Sequence, residues 1–545
     1  MPDLDNPLRP DPPVHAREDQ IFPRLSQPLI DRVSAYGTEE ALASDTLLFG
    51  RGDRGPDFFV VLEGAIDLFD ADGGYVRSYL PGQFSGELHL FSGRASLLDG
   101  RAAAGTRVLR LAPDAFRRMA SAEPDIGEIV MRAFILRRVD LLATGFGGIT
   151  LVGSAEDPET HRIREFLTRN AHPHRFVDLR DPAAPDTLQM EELPAILLPE
   201  GKVLSRPSSA QLADLLGLNA APHGGEIYDL VVVGAGPAGL AAAVYGASEG
   251  LSTLVVEAEA PGGQAGTSSR IENYLGFPTG ISGQALAGRA ITQAHKFGAV
   301  LRVSRRAEHL DCSTRPFRIA LEGGETVRAQ AVVIATGARY RRLDVPGYAA
   351  LEGSGIYYAA TPMEAQLCAG AEVVVVGGGN SAGQAAMFLS RSCAKVHILV
   401  RGPGLAATMS DYLVQRIANS ANVHLHPHSE VASVEGSEFL TRVSWRDRAN
   451  NTTVVRDVRG LFVMIGAAPN TEWVSDCLQL DAAGFVSTGQ GADGRALASP
   501  YATLIEGVFA AGDVRAGSIK RVAAGVGEGA GVIAGVHQFL SDSLV

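Results

Sequence analysis

Residues 228–250 read YDLVVVGAGPAGLAAAVYGASEG, and residues 371–392 read AEVVVVGGGNSAGQAAMFLSRS. Each is an apolar, β-branched run that meets G-x-G-x-x-G/A and then an alanine-rich stretch. The pattern predicts a buried strand, a tight turn and a helix, twice in one chain. The first set of small residues is Gly234, Gly236 and Gly239; the second is Gly377, Gly379 and Ala382. One glycine permits the turn, the next lets the backbone approach a pyrophosphate, and the last position lets helix pack on strand. The pyrophosphate then lies on the helix N-terminus, whose free N–H groups and dipole favour an anion. Asn380 and Ser381 open the second helix and join that candidate site.

The strands that follow differ where it matters. LSTLVVE (251–257) ends in Glu257, about 20 residues on, where a carboxylate accepts bonds from a ribose hydroxyl. KVHILVR (395–401) ends in Arg401, which could meet the extra 2′-phosphate of NADP or could be a solvated arginine at a strand end. The expectation favours NADPH, with NADH as the alternative. Two dinucleotide sites in one chain imply that one holds a flavin and the other delivers hydride to it, while the protein supplies orientation and electrostatics.

At about 150 residues per domain, 545 residues predict three or four domains. From 227 onward, strand-like runs alternate with helices, which predicts parallel α/β architecture. Upstream, residues 1–20 are polar and proline-rich and read as a disordered tail. Short β-like runs, DFFVVLEGAIDLF (57–69) and TRVLRLA (106–112), precede a helical stretch, EIVMRAFILRRVDLLA (128–143). TGFGG (144–148) reads as a linker to a small βαβ-like unit at 149–216, and GLNAAPHGGE (217–226) as a second break.

The 48 Lys and Arg against 61 Asp and Glu leave a formal charge of −13. That excludes a general nucleic-acid or membrane-surface binder, because nothing concentrates enough positive charge. Glycine, at 62 residues, has no three-residue period and must serve turns and close backbone approach. The four cysteines, Cys312, Cys368, Cys393 and Cys477, form no C-x-x-C pair, so their spacing indicates no disulfide framework or zinc site. The start lacks a secretory apolar region, and no run approaches a membrane span. The expectation is a cytoplasmic protein of a reducing compartment, with no metal.

From about 227 to 540 the chain resembles the thioredoxin reductase family of two-domain flavoproteins. PGGQAG (261–266) and RIENYLGFP (270–278) resemble its flavin-side loop, with Gly263, Gln264 and Asn273 at FAD-contacting positions. VVIATGA (332–338), with Thr336 and Gly337, resembles the strand that returns the chain between domains. GVFAAGDV (507–514) resembles the late FAD motif, in which Gly512 precedes Asp513 on the ribityl chain. KRVAAGVGEGA (520–530) resembles the final helix; Arg521, Val522 and Ala523 replace the family's R-Q-A near the isoalloxazine. The resemblance implies an FAD domain at 227–345 and 467–545, an NAD(P) domain at 346–466, rotation of the two to bring nicotinamide to flavin, and a homodimer.

One departure matters most. The family's C-A-T-C dithiol precedes the second fingerprint, but here that stretch is YYAATPMEA (357–365), with Ala359 and Pro362 at the cysteine positions. Dithiol exchange needs a thiolate and a resolving partner, so reduction of thioredoxin by this route is in doubt. Cys368 and Cys393 read as buried structural thiols.

Residues 21–143 resemble a cyclic nucleotide-binding domain, through FFVVLEGAIDLF and PGQFSGELHLFSGRAS (81–96). Glu87 can accept from a ribose hydroxyl, Arg94 can pair with a cyclic phosphate, and Gly86 with the following helix adds N–H donors. RASLLDGRA, after Arg94, lacks a tidy run of small residues, and members of this fold can keep the β-roll without the ligand. cAMP or cGMP as an effector therefore stays an open expectation. Residues 149–216 resemble a thioredoxin or glutaredoxin fold, but GSAEDPETHR (153–162), where C-x-x-C would stand, has no cysteine. Pro194 occupies that fold's cis-proline position. His161, His172 and His174 read as surface or capping histidines, and the unit as a redox-dead docking or spacer domain.

The fold expectation is thus multidomain α/β: a cyclic nucleotide-binding β-roll, a small thioredoxin-like unit, and two Rossmann-like domains. The function expectation is an FAD-dependent NAD(P)H oxidoreductase with an external electron acceptor: a disulfide protein, an iron–sulfur or flavin carrier, a quinone or oxygen. A redox and cyclic-nucleotide sensor with incidental turnover, and a disulfide reductase using remote cysteines, are the alternatives.

Overall fold

The computed structural model describes residues 18–70, 73–86, 89–92, 95–144, 149–180, 192–198, 202–219, 226–268, 271, 274–352, 354–358, 360–519 and 521–542. Most of the expected linker at 144–148 and of the break at 217–226 lies outside these; Thr144 ends the preceding helix. The tail expectation is shortened at its end, because Glu18–Ile21 is helical and its Ile21 is buried.

Phe58–Glu63 is buried from Phe58 to Val61 because Phe58 and Val60 pack against the helices while Phe59 and Val61 pack against the second sheet. It lies in a three-stranded antiparallel sheet with Arg107–Leu111 and Thr38–Ala41. A second antiparallel sheet orders Thr46–Phe49, Asp99–Ala102, Ile66–Phe69 and Tyr75–Tyr79, which completes the β-roll. Phe58, Phe84, Phe91, Phe116 and Phe134 fill the space between the roll and the helices Pro113–Ala122 and Pro124–Thr144. Arg137 is buried there and donates to the carbonyls of Ile21, Phe84 and Gly86.

The middle unit is a four-stranded sheet in the order Val203–Ser205, Ala195–Leu197, Ile149–Gly153, His174–Asp178. Asp157 caps the helix Pro158–Arg169 by accepting from Thr160 N at 2.7 Å. The Leu193–Pro194 peptide is cis, at the expected position. The histidines differ from the surface reading. His172 is buried, and His161 is turned toward Glu364, with 11% of its side chain exposed. The burial of His161 comes from packing against Glu364 and Tyr357 of another domain, which local sequence does not reveal.

The first fingerprint strand, Ile227–Val233, is central in a sheet ordered Val300–Arg302, Thr253–Val256, Ile227–Val233, Glu325–Ile334, Phe317–Leu321, Ala307–Asp311; Val508–Ala510 also pairs with Glu325–Ile334. The second, Glu372–Val376, is central in a parallel sheet ordered Ile356–Tyr357, Gly460–Val463, Glu372–Val376, Lys395–Leu399, Val423–His426. The chain passes between the two domains through Ala338–Tyr340 and Ala467–Pro469, which pair as a two-stranded antiparallel ribbon.

Cys312 and Cys477 form a disulfide, with Cα atoms 6.2 Å apart and a sequence separation of 165. This corrects the reading of no disulfide, and a disulfide is at odds with a reducing compartment. Spacing could not show it, because the bond joins the two FAD-domain segments that flank the inserted domain. Cys368 and Cys393 are free and buried. No described helix is long and apolar enough to cross a membrane, and no cluster among the described residues could hold a metal ion.

Candidate functional site

At the first fingerprint, Gly234 has φ +107°, and a Cβ there would lie 2.3 Å from the carbonyl oxygen of Ala335. A Cβ on Gly239 would lie 1.8 Å from Gly234 O, so the helix Pro237–Ser248 reaches its strand only with glycine there. Gly236 is the N-cap, and no side chain caps the helix, which leaves its first N–H groups for an anion. The face of the turn is backbone against backbone, since a Cβ on Gly263 would lie 2.9 Å from the Cα of Gly236.

Glu257 follows the strand Thr253–Val256 and turns its carboxylate to the fingerprint. It accepts from Ala235 N at 2.7 Å and Glu259 N at 3.0 Å. Burial pushes its carboxyl up, against the pull of those two donors. A carboxylate offers about four acceptor positions, so two remain for ribose hydroxyls, and the cradle fits a dinucleotide such as FAD.

Other expected FAD residues converge on this end of the domain. Gln264, in the short helix Gly263–Gly266, donates to the carbonyl of Ala338. Thr336 and Asn470 bond reciprocally: Thr336 Oγ1 to Asn470 O at 2.8 Å, and Asn470 Nδ2 to Thr336 O at 2.9 Å. Gly337 has φ +62°. Gly512 and Asp513 lie in a one-turn 3-10 helix before the helix Val522–Asp542. Arg521 and Ala523 are exposed at that helix start, and Val522 is half-buried. Asn273 lies outside the described residues.

Two residues at this site were missed by sequence reading. Buried Glu528 accepts from Gly512 N at 2.6 Å and pairs with Arg515 at 2.7 Å. It thereby holds the turn that carries Asp513. An acidic residue inside an otherwise glycine- and alanine-rich helix was the available signal. Asn470 gave no local signal.

The second fingerprint repeats the geometry. Gly377 has φ +135°, and a Cβ would meet Met464 O at 2.2 Å. Gly379 is an uncapped N-cap with open space around it, and Ala382 is buried against the sheet. Asn380 accepts from Ser410 N at 2.7 Å, and Thr408 donates to Gly378 O at 2.7 Å, so the loop 403–410 is tied to the turn. Ser381 and Arg401 are exposed. These residues fit a second nucleotide.

Ala359 lies outside the described residues, and Pro362 is the first residue of the helix Pro362–Leu367. Cys368 and Cys393 offer no substitute thiolate: burial pushes the Cys368 thiol up to about 12 and raises that of Cys393. In the β-roll, Gly86 takes φ +95° ahead of the short helix His89–Ser92, while Glu87 and Arg94 lie outside the described residues.

The family of pyridine nucleotide-disulphide oxidoreductases matches residues 228–529. The chain belongs to that family. A cyclic nucleotide-binding domain matches residues 39–123. Thioredoxin reductase of Mycolicibacterium smegmatis is 34% identical over 318 residues, covering 58% of this chain and 97% of its own. Crystal structures of thioredoxin reductases from Lactococcus lactis and T. acidophilum align with TM-scores of 0.53 each, at 27% and 30% identity. They cover 58% of this chain and 99% of theirs. The protein is therefore an FAD-dependent NAD(P)H oxidoreductase of the thioredoxin reductase type, with a cyclic nucleotide-binding domain on its N-terminal side. The solved relatives and the curated relative fit the two-fingerprint portion of the oxidoreductase.

Proposed function

We propose that the oxidoreductase holds FAD at the first fingerprint and NADPH or NADH at the second, and hands electrons to an external acceptor without a dithiol of its own. When bound, the nicotinamide supplies a hydride, and the flavin accepts it and passes the electrons on. The observation that carries this reading is the pair of glycine turns with uncapped helix N-termini, the first facing the half-buried Glu257 and the second followed by a strand that leads into the exposed Arg401. Glu257 would fix the flavin nucleotide through its ribose, Gly236 and Gly263 would admit the pyrophosphate, and Glu528 would hold Asp513 in place. Arg401 would favour the 2′-phosphate of NADPH. The residues at the family's dithiol position, and the raised thiols of Cys368 and Cys393, argue for an acceptor that takes electrons directly.

Cyclic nucleotide control belongs to the same reading. The short helix His89–Ser92 of the β-roll packs against Gly283–Lys296, and that helix packs against Gly263–Gly266 in the flavin-side loop. A Cβ on Gly283 would lie 1.7 Å from Ala265 O, so the second contact is close. A nucleotide that reshapes the β-roll segment thus has a packed route to the flavin, provided it binds one arrangement better than another.

The test mixes oxidised flavoprotein anaerobically with NADPH or NADH, with and without cAMP or cGMP, and follows flavin absorbance. Rapid bleaching with a preference for NADPH is expected, at a rate that the cyclic nucleotide changes. No bleaching with either nicotinamide would refute the hydride route. Unchanged rates and thermal stability with both cyclic nucleotides would remove the regulatory part.

A further inference from the structure

The two nucleotide domains are joined through a two-stranded ribbon, Ala338–Tyr340 with Ala467–Pro469. Such a ribbon has little stability of its own, and relative motion of domains is the default unless a large apolar interface stops it. The helix Pro158–Arg169 of the thioredoxin-like unit supplies a further tie, because its two ends meet different domains. Its 12 residues span about 18 Å.

At the N-terminal end, the carboxylate of Glu156 pairs with Arg459 of the NAD(P) domain at 2.6 Å and with Arg180 of its own unit at 2.6 Å. The Glu156 carbonyl accepts from Ser354 Oγ at 3.0 Å. His161 Nε2 lies 3.7 Å from the buried Glu364 carboxylate, and its ring centre is 5.9 Å from that of Tyr357. At the other end, Arg169 donates to Ala260 O of the FAD domain at 2.9 Å, and Thr168 O accepts from Gln284 at 2.8 Å. The FAD-side contact continues through buried Asn219, whose Oδ1 accepts from Val303 N at 2.8 Å. Asp214 takes Arg305 at 2.6 Å and 2.7 Å.

The two contacts differ in kind. Val303 of the FAD domain is buried inside the core of the thioredoxin-like unit, together with Leu151, Ile163 and Leu212. That face shares apolar core and a buried amide, so opening it exposes apolar area and strands polar groups. The NAD(P) face is built from polar contacts, with buried Ser354 and Glu364 inside it and Glu156–Arg459 at its part-exposed edge, where Arg459 keeps 33% of its side chain in solvent. Among the described residues no NAD(P)-domain side chain joins the apolar core of the thioredoxin-like unit, and a part-exposed ion pair resists opening less than shared apolar core does. The NAD(P) face is therefore the one that releases first.

We propose that the thioredoxin-like unit is a clamp acting in cis: permanently seated on the FAD domain, it grips the NAD(P) domain through Glu156–Arg459, Ser354 and His161–Glu364, and movement of the NAD(P) domain requires that grip to open. The gripping end is the segment 153–162 that would carry C-x-x-C in an active thioredoxin fold, so this end of the unit serves docking. The clamp does not depend on the oxidoreductase reading; its effect on turnover does.

The test uses full-length, oxidised flavoprotein with spin labels on Glu322→Cys and Glu438→Cys, both exposed and one in each nucleotide domain. Pulsed EPR then measures the distance between the domains. Glu156→Gln and Arg459→Gln are each expected to broaden a narrow distribution, and the double variant to broaden it no further than either single, because both remove one contact. Anaerobic bleaching by NADPH is expected to be about fivefold faster or more in each variant. Distributions unchanged in both singles, with circular dichroism showing intact folding, would overturn the clamp. If either variant misfolds, His161→Ala opens the same face and is read the same way. A broadened distribution with unchanged or slower bleaching would overturn the requirement for opening. A wild type that NADPH fails to bleach would refute the hydride route and leave the distance measurement to decide the clamp alone.

Discussion

In the proposed function Glu257 does two jobs that pull in opposite directions. It must be buried enough to face a ribose in the crease of the fingerprint, yet ionised enough to accept bonds. Burial raises its carboxyl, and the N–H groups of Ala235 and Glu259 oppose that rise. Its own backbone is held on both sides, by Arg302 O at 2.8 Å and by Arg305 N at 2.9 Å, so the carboxylate is positioned before any ligand arrives. Hydrogen bonds to a charged group are worth about 1.5–3 kcal/mol. Glu257→Ala is therefore expected to weaken FAD binding about tenfold or more, measured by titrating apoprotein with FAD and by the flavin-to-protein absorbance ratio after gel filtration. Full flavin content and unchanged affinity would place the ribose elsewhere. This site was legible in the sequence because its parts are neighbours: Gly234 and Gly239 act through backbone atoms within a few residues, and Glu257 ends the next strand. Glu528 and Asn470 were not legible, since their partners Gly512 and Thr336 are 16 and 134 residues away. Only the packing of the C-terminal helix and the return of the chain bring them together.

Across three adjacent parallel strands of the NAD(P) domain, Glu372, His397 and His426 form a line of polar groups. His397 Nε2 lies 3.0 Å from Glu372 Oε2, and its Nδ1 lies 3.0 Å from His426 Nε2. Trp445 from the neighbouring three-stranded sheet packs on both rings, with His424, Lys395, Arg456 and Asp447 nearby. Burial, and then the proximity of His397, hold His426 down to about 4, and burial lowers His397 as well. An unfolded histidine titrates near 6.5, so below that value the unfolded chain binds more protons than the folded one. Stability contributed by the neutral rings is full above pH ~6.5 and is lost as pH falls toward about 4. Glu372, lowered chiefly by its bond to His397, acts in the same direction at the acid end. The expected result is a melting temperature that is flat above neutral pH and falls steadily below it, with His426→Phe reducing that slope. A wild-type melting temperature independent of pH between 4 and 7 would show that the rings are charged or exposed in the folded protein. The alternating strands and helices of this domain were readable from hydrophobic runs. The cross-strand histidines were not, because strand order is set by topology, and period-2 alternation places His397, His424 and His426 on faces without saying which strands adjoin.

At the scale of the whole molecule, the Cys312–Cys477 bond joins the two FAD-domain segments on either side of the inserted NAD(P) domain. Its location can be followed through strand register. Asp311 pairs with Arg318, Arg318 with Arg328, and Arg328 with Ile227, while the fingerprint end of the same sheet pairs Ile334 with Val233. Six residues at 3.3 Å put the bond roughly 20 Å from the Gly234 turn. It is thus at the opposite end of the sheet from the nucleotide cradle and stabilises the fold by closing a long loop, an effect of about 2–4 kcal/mol in typical cases. Denatured, unreduced protein is expected to react with two equivalents of thiol reagent, at Cys368 and Cys393, and reduced protein with four. Anaerobic NADPH should leave the count at two while it bleaches the flavin, because no cysteine occupies Pro362 and the disulfide lies too far from the cradle to receive electrons directly. Cys312→Ser should lower the melting temperature without slowing bleaching. A count that rises to four with NADPH would make the remote disulfide a redox centre, and the electron path would then run through the sheet to Cys312 and Cys477 before it left the protein.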